Sequence, residues 1–269
     1  MDPLRRPLLA ANWKMHFTTH EATAAARRLR AGVAQLGDVE VVVAPPFTAL
    51  ASVAKALSGG RIHVAAQNMH PRADGAFTGE VSGAMLRDVG ATWVLLGHSE
   101  RRTLFHETDA DVAAKLASAV EQGFAPIVCV GESLEARRRG DALDVVHGQL
   151  AALGATIAIA PSIAIAYEPL WAIGTGESAS ASDIEPMHRA IRAHLARIDP
   201  ELAVRARIVY DGPFTPDDAL AFLDAEDVDG VLVGMPAVDL KAFVAIARLA
   251  DRLARGAESI LAAERTVAL

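Results

Sequence analysis

Two residues with proton-transfer chemistry follow directly after apolar segments of the chain. Glu168 comes immediately after the apolar run 164–167. A carboxylate that leaves an apolar segment in a partly dehydrated place is suited to act as a general base. His98 follows the apolar run 93–97, and a helix beginning after it would keep the imidazole neutral. A neutral imidazole can polarise a carbonyl group by donating a hydrogen bond to it.

A cation and an amide follow the first apolar run. Lys14 lies two residues after Asn12. We expect its ammonium group to stabilise an anion or a developing oxyanion, with Asn12 as a neutral donor beside it. Each residue also has an ordinary interpretation: Lys14 as an exposed lysine, His98 as a structural histidine and Glu168 as a salt-bridged surface carboxylate. The catalytic interpretation is favoured only if all of them share one site.

The repeating pattern of the chain supplies such a site. Short apolar runs recur, each followed by an Ala-rich amphipathic segment, as in repeated strand–helix units. We predict helices that include 19–36, 109–122, 183–196 and 216–224, and eight strands at 8–12, 40–44, 62–66, 93–97, 125–130, 163–167, 207–210 and 231–234. Periodicity also allows an open doubly wound sheet, but strand count and length favour a (β/α)8 TIM barrel. In such a barrel, loops after the strands meet at one rim.

Composition narrows the class of protein. The chain has 269 residues, of which 52% are hydrophobic and 22% charged, so we expect a single globular domain over 1–269. The net charge of −7 argues against nucleic-acid binding, and we interpret the basic run 137–139 as a solvated helix face. Cys129, the single cysteine, has apolar neighbours and is expected in a buried strand. No apolar run reaches membrane-spanning length, so we expect a soluble cytoplasmic protein.

The glycines that follow Glu168 allow two interpretations. Gly174 and Gly176 would let the backbone of a closing lid approach a bound group closely. Together with Ala179 they also match a loose dinucleotide-binding pattern, which would indicate a nicotinamide-dependent oxidoreductase. That alternative is weak, because the glycines lie several residues beyond the strand and no suitable acid follows.

Five segments together resemble the triosephosphate isomerases, in order along nearly the whole chain. The segments are 12–14 (Asn-Trp-Lys), 75–80 (Gly-Ala-Phe-Thr-Gly-Glu), 97–102, 129–132 (Cys-Val-Gly-Glu) and 166–176. The resemblance implies that Glu168 is the catalytic base and His98 the neutral electrophile. It also implies that Lys14 is the electrostatic clamp, Asn12 a supporting donor and Glu100 the resting partner of Lys14.

The same resemblance implies the substrate and the assembly. The expected reaction interconverts glyceraldehyde 3-phosphate and dihydroxyacetone phosphate through an enediolate, as in glycolysis and gluconeogenesis, with no metal or organic cofactor. Contacts to the phosphorylated sugar would come from Asn12, Lys14, Gly174, Gly234 and Met235. The segment near Thr78 would contribute to a homodimer.

Two loops depart from the family pattern. Where the family has Tyr-Gly-Gly-Ser, residues 210–213 read Tyr-Asp-Gly-Pro, and Pro213 has no backbone N–H to offer a phosphate. Met235 replaces a glycine after the last strand, and Asp211 would repel a phosphate dianion if it pointed inward. Losing one hydrogen bond to a charged group costs about 1.5–3 kcal/mol. These changes leave open an isomerase of another sugar phosphate, for example a four-carbon one, or a non-catalytic barrel dimer.

Overall fold

Eight parallel strands close into a barrel in the computed structural model, which describes residues 5–173, 179–213, 218–234 and 240–267, with side chains up to residue 256. Each strand pairs with the next along the chain, and the last pairs with the first. The strands are β1 Leu8–Asn12, β2 Glu40–Ala44, β3 Ile62–Ala66, β4 Trp93–Leu96, β5 Ala125–Val130, β6 Ala164–Tyr167, β7 Arg207–Asp211 and β8 Gly230–Gly234. The predicted (β/α)8 barrel is therefore confirmed, and the open sheet is wrong.

Helices follow the strands and cover the outside of the barrel. Those in the described residues are α1 Thr19–Gly32, α2 Phe47–Leu57, α3 Gly83–Asp88, α4 Ser99–Leu104, α5 Asp109–Glu121, α6 Leu134–Arg139, α7 Ala142–Ala152, α8 Thr156–Ile159, α9 Ala181–Ile198, α10 Pro200–Arg205, α11 Ala219–Asp224 and α12 Leu240–Val267. Side-chain caps fix several of their starts. Ser180 caps α9 by accepting from the backbone N–H of Asp183, so this helix begins two residues before the predicted start.

Strand residues alternate between two apolar cores. Ala10, Ile127, Ala166 and Leu232 fill the barrel interior. Their chain neighbours, such as Leu9, face the helices and form the larger outer core. This alternation follows from the two-residue period of a strand, and it closes the interior so that ligands can approach only at the strand ends.

Strand ends differ from the predictions by one residue at most. β4 stops at Leu96 because Gly97 has a positive φ of 70°, which turns the chain out of the ladder. β7 extends through Asp211, which pairs with Leu232 of β8. The longer predicted range 19–36 overshoots α1, which ends at Gly32.

The predictions for two side-chain environments have different outcomes. Cys129 is fully buried in the barrel interior, as expected. The basic run lies on α6, but Arg137 is not simply solvated. Its guanidinium lies 4.2 Å from the ring centroid of Trp171, and its Nη1 lies 3.3 Å from Glu132 Oε1. The prediction of a solvated face is therefore wrong for Arg137, because stacking and an ion pair hold this side chain against the barrel.

Within the described residues, no helix is both long enough and apolar enough to span a membrane.

Candidate functional site

Lys14 lies at the barrel mouth, which is the rim formed by the strand ends at Asn12, Leu96, Tyr167 and Gly234. Its backbone is left-handed, with a φ of 47°, a conformation that costs a non-glycine residue about 1–3 kcal/mol. Asn12 Oδ1 accepts a hydrogen bond from Lys14 N at 3.0 Å. Neighbouring contacts therefore hold a strained backbone that aims this lysine into the mouth.

The Lys14 side chain crosses the mouth to an acid on α4. Its Nζ donates to Glu100 Oε1 at 2.7 Å. A Cβ added to Gly234 would lie 3.0 Å from Lys14 Cε, so the glycine leaves space for the lysine stem. The structure therefore brings Asn12, Lys14 and Glu100 together, and it places Gly234 beside the lysine.

His98 precedes α4 and caps it. Its Nδ1 accepts a hydrogen bond from Glu100 N at 3.3 Å, so a neutral ring carries its hydrogen on Nε2. Nε2 points into the mouth and lies 3.4 Å from Glu168 Oε1. Only 5% of the residue surface is exposed. The buried Nε2–H is therefore positioned to donate to a substrate oxygen.

Glu168 immediately follows β6 and is 1% exposed. Its Oε2 accepts from Ser99 N at 2.8 Å, and its Oε1 accepts from Ser99 Oγ at 2.7 Å. Backbone pairing continues one residue past the strand, since Glu168 N donates to Val130 O at 2.8 Å. The backbone of Glu168 is thus held by strand pairing, and within the described residues both hydrogen bonds to its carboxylate come from Ser99.

Asp211 adds a third ionisable group to this cluster. Its side chain does point inward, and Oδ2 lies 3.8 Å from His98 Nε2. One polar side-chain atom each of His98, Glu168 and Asp211 lies within 4.8 Å of the other two, so the charges of these groups affect one another. Burial, followed by the negative charge of Glu168, raises the pKa of Asp211 well above its usual range.

Glu132 organises the chain that leads from β6 toward the predicted lid. Its Oε1 accepts from Tyr167 Oη at 3.0 Å and from Trp171 Nε1 at 2.9 Å, and it pairs with Arg137. Burial and the neighbouring Glu132 carboxylate raise the pKa of Tyr167. This cluster fixes Trp171, three residues before Gly174.

Some of these positioning residues are absent from the sequence-based prediction. Ser99, which holds Glu168, follows His98 directly, so its place at a helix start was the available signal. Gln67 lies just after β3, and its Nε2 donates to Lys14 O and to Ala44 O, both at 2.8 Å. The sequence shows that Gln67 follows a strand, but it does not show which carbonyl groups the side chain binds.

Two of the five residues predicted to contact the phosphorylated sugar, Gly174 and Met235, lie outside the described residues, as do residues 214–217. Pro213 is described, and its carbonyl oxygen accepts from Tyr210 Oη at 3.3 Å. The roles of these loops in binding phosphate stay predictions.

Known proteins match the chain over nearly its whole length. A family model described as triosephosphate isomerase matches residues 7–250. A triosephosphate isomerase of Chloroflexus aurantiacus is 46% identical over 248 residues, which cover 90% of this chain and 98% of that protein. One of Symbiobacterium thermophilum is 46% identical over 246 residues, covering 90% and 96% of the two chains. One of Magnetococcus marinus is 46% identical over 249 residues, covering 90% and 98%. The chain therefore belongs to the triosephosphate isomerase family.

Proposed function

We propose that this protein interconverts glyceraldehyde 3-phosphate and dihydroxyacetone phosphate. The observation that carries the proposal is the 3.4 Å approach of His98 Nε2 to Glu168 Oε1 at the mouth of a closed barrel, with Lys14 on the same rim. A base, a neutral donor and a cation around one space are what proton transfer next to a carbonyl requires. Each of these groups is held by neighbouring contacts in the structure.

In the proposed reaction, one proton moves between neighbouring carbons. Glu168 removes the proton from the carbon next to the carbonyl, and the electron pair left behind forms the enediolate. His98 donates from Nε2 to the substrate oxygens, and Lys14 offsets their negative charge. The hydroxyl proton on the deprotonated carbon passes to the former carbonyl oxygen, and Glu168 returns its proton to the former carbonyl carbon, so the atoms balance and no redox partner is needed.

Three carbons are favoured over four in the substrate. The chain differs from the family pattern at Asp211, Pro213 and Met235, and these differences are the reason for considering a four-carbon sugar phosphate. The relatives named above are triosephosphate isomerases at 46% identity, and the catalytic groups that the chain retains agree with that chemistry. A non-catalytic barrel leaves the strained Lys14 and the buried Glu168 without an explanation.

We also propose that two copies form a homodimer through the rim beside the mouth. A cavity of about 230 Å³ lies there, and its lining includes Lys14 and the exposed Met15 and Phe105, which are 95% and 65% exposed. Residues 72–80, which include Thr78, form a continuously exposed segment. Inserting this segment from the partner would cover those apolar side chains. Sedimentation of the protein and of a Met15→Glu variant tests this: a dimer that becomes a monomer supports the proposal, and a monomeric native protein contradicts it.

The proposed site of action is the cytoplasm, where phosphorylated trioses are metabolised. Residues 1–269 are proposed to act as one domain. Cell fractionation with an antibody tests the first proposal, and cooperative unfolding with one calorimetric transition tests the second.

Turnover of glyceraldehyde 3-phosphate by the purified protein tests the proposed function. Glu168→Gln keeps the shape of the side chain but cannot take a proton, so we expect kcat to fall by at least about 1000-fold, a loss typical of a catalytic acid or base. Glu185→Gln, which alters only an exposed ion pair with Arg189, is the matched control and should retain activity. Equal rates for the native protein and Glu168→Gln would contradict the proposal. Preference for erythrose 4-phosphate would favour the four-carbon alternative.

A further inference from the structure

We propose that Asp211 is a second proton-carrying group of this site: its carboxyl stays protonated in the working enzyme and donates a hydrogen bond to the reacting oxygen atoms, while Glu168 acts as the ionised base. The inference deepens the proposed function and rests on it for the catalytic part only. The protonation of Asp211 can be measured without turnover. The two carboxyl groups thus take opposite roles because their surroundings differ.

The first argument is the reach of the Asp211 side chain. Oδ2 lies 3.8 Å from His98 Nε2. A substrate oxygen that accepts from Nε2 would lie about 2.9 Å from it, and an O–H···O bond spans about 2.7 Å. Distances of about 2.9, 2.7 and 3.8 Å close a triangle, so one oxygen can accept from both His98 and Asp211. The side chain is therefore within reach of the atoms on which charge develops.

The second argument is the difference in hydrogen bonding between the two carboxyl groups. Glu168 accepts two hydrogen bonds from Ser99, which stabilise its negative charge. Within the described residues, Asp211 Oδ2 is buried and has no hydrogen-bond partner, and 9% of the side chain is exposed. An ionised carboxylate with a buried oxygen that accepts no hydrogen bond is costly, whereas a protonated one is far less so. If the pair holds one proton, it therefore resides on Asp211.

The third argument comes from the charges that face Asp211. Glu168 from the end of β6 and Glu100 from α4 oppose its ionisation, whereas Lys14 from the turn after β1 favours it. The Lys14 ammonium already pairs with Glu100. The remaining groups close enough to interact with Asp211 are Cys129 on β5 and Tyr210 on β7. Burial is the main cause that raises the pKa of each; the next cause is Glu168 and then Asp211 for Cys129, and Asp211 for Tyr210. His98 faces it with the donor Nε2. The surroundings as a whole favour the neutral acid.

Ionisation of Asp211 should therefore stop the reaction. A carboxylate beside the enediolate would repel it and could no longer donate. We expect kcat/KM to fall on the alkaline side with loss of a single proton, about tenfold for each pH unit above the midpoint. In Asp211→Asn the amide donates in the same place and does not titrate, so this fall should disappear. Asp211→Gly, the residue that the family pattern has here, should also lose the fall but lacks the added donor.

The experiment compares pH profiles of kcat/KM for the native protein and both variants, with a chelator present and circular dichroism as the check on folding. An alkaline fall in the native protein that both variants lack supports the proposal. Profiles that coincide overturn it. A native profile that changes when the chelator is omitted or zinc is added also overturns it, because the cluster then binds a metal ion rather than a proton.

A second readout does not depend on activity. Infrared difference spectra of protein labelled with carboxyl-¹³C aspartate, native against Asp211→Asn, should show one protonated carboxyl band at neutral pH that the variant lacks. The absence of that band overturns the proposal whether or not the enzyme is active. If the band is present in a protein without isomerase activity, the protonation stands, but the proposed function and the catalytic role of Asp211 fail.

Discussion

Both carboxylate oxygens of Glu168 are occupied by one residue, Ser99, whose N and Oγ donate to them at 2.8 and 2.7 Å. The Glu168 carboxylate therefore rests against the start of α4, 3.4 Å from His98 Nε2. In the proposed reaction this carboxylate reaches a carbon atom of the substrate, and we expect it to give up at least one bond to Ser99 in doing so. Ser99 thus stabilises this resting position of Glu168.

Replacing Ser99 should affect stability more than turnover. Ser99→Ala removes the Oγ donor, and we expect the free energy of unfolding to fall by about 1.5–3 kcal/mol, the contribution of a hydrogen bond to a charged group. The change in kcat/KM should stay below tenfold, because the bond belongs to the resting position. Urea unfolding and steady-state kinetics measure the two effects. Ser118→Ala, which removes an acceptor from Gln122, is the control. A 100-fold loss of kcat/KM would show that Ser99 acts in the chemical step.

Replacing Gln67 should weaken the site through Lys14. Gln67→Ala deletes two hydrogen bonds to backbone carbonyls, one of which is that of Lys14, so the strained turn loses a support. We expect the free energy of unfolding to fall by about 1–3 kcal/mol and KM to rise several-fold. Gln122→Ala, which loses a bond on α5 far from the mouth, should leave KM unchanged. An unchanged KM in Gln67→Ala would contradict the role that we assign to this glutamine.

The buried His188 should make the fold sensitive to acid. Burial lowers the pKa of His188 to about 4, against a usual value of 6.5. The unfolded chain therefore binds a proton at a higher pH than the folded one. Stability that is fully present above pH 6.5 is lost as the pH falls toward 4, at up to about 1.4 kcal/mol per pH unit. Urea unfolding between pH 7.5 and 4.5 measures this loss, which His188→Gln should reduce. The exposed His20→Gln is the control, and an equal loss in all three proteins would refute the assignment.

Asp211 should have the opposite effect on stability. Its folded pKa is raised by burial and by Glu168, so the folded state keeps a proton that the unfolded chain releases. The free energy of unfolding therefore decreases as the pH rises above about 4 and levels off above the folded pKa. Asp211→Asn should be more stable than the native protein at neutral pH, with a difference that grows with pH. Thermal melts at pH 5, 7 and 9 test this, and a constant difference would contradict it.

The meeting of Lys14, His98 and Glu168 at one rim was predictable, because polar residues that follow apolar strands must meet at one end of a barrel. The inward direction of Asp211 was also available from the strand period, since Val209 two residues earlier fills the barrel interior. The sequence-based interpretation treated that direction as open because the length of β7 was underestimated by one residue.

The supporting contacts were not predictable in the same way. Ser99 and Glu168 are 69 residues apart, and Gln67 and Lys14 are 53 apart. Such pairs depend on the register of neighbouring strands and on the path of each turn, neither of which is encoded in hydrophobic periodicity. The stacking of Arg137 on Trp171 was missed for the same reason, since local charge alone indicates a solvated face.

Proton transfer through Glu168 is the central claim, and isomerisation in D₂O tests it most directly. We expect dihydroxyacetone phosphate made from glyceraldehyde 3-phosphate to carry deuterium at C1 in a measurable fraction of molecules, because the acid form of Glu168 exchanges with solvent before it returns the proton. Glu168→Gln should give no labelled product. Nuclear magnetic resonance of the product, trapped before the reverse reaction, gives the label and its position. Unlabelled product at full turnover would show that the transferred hydrogen never exchanges with solvent, and it would contradict the exchange that we expect at Glu168.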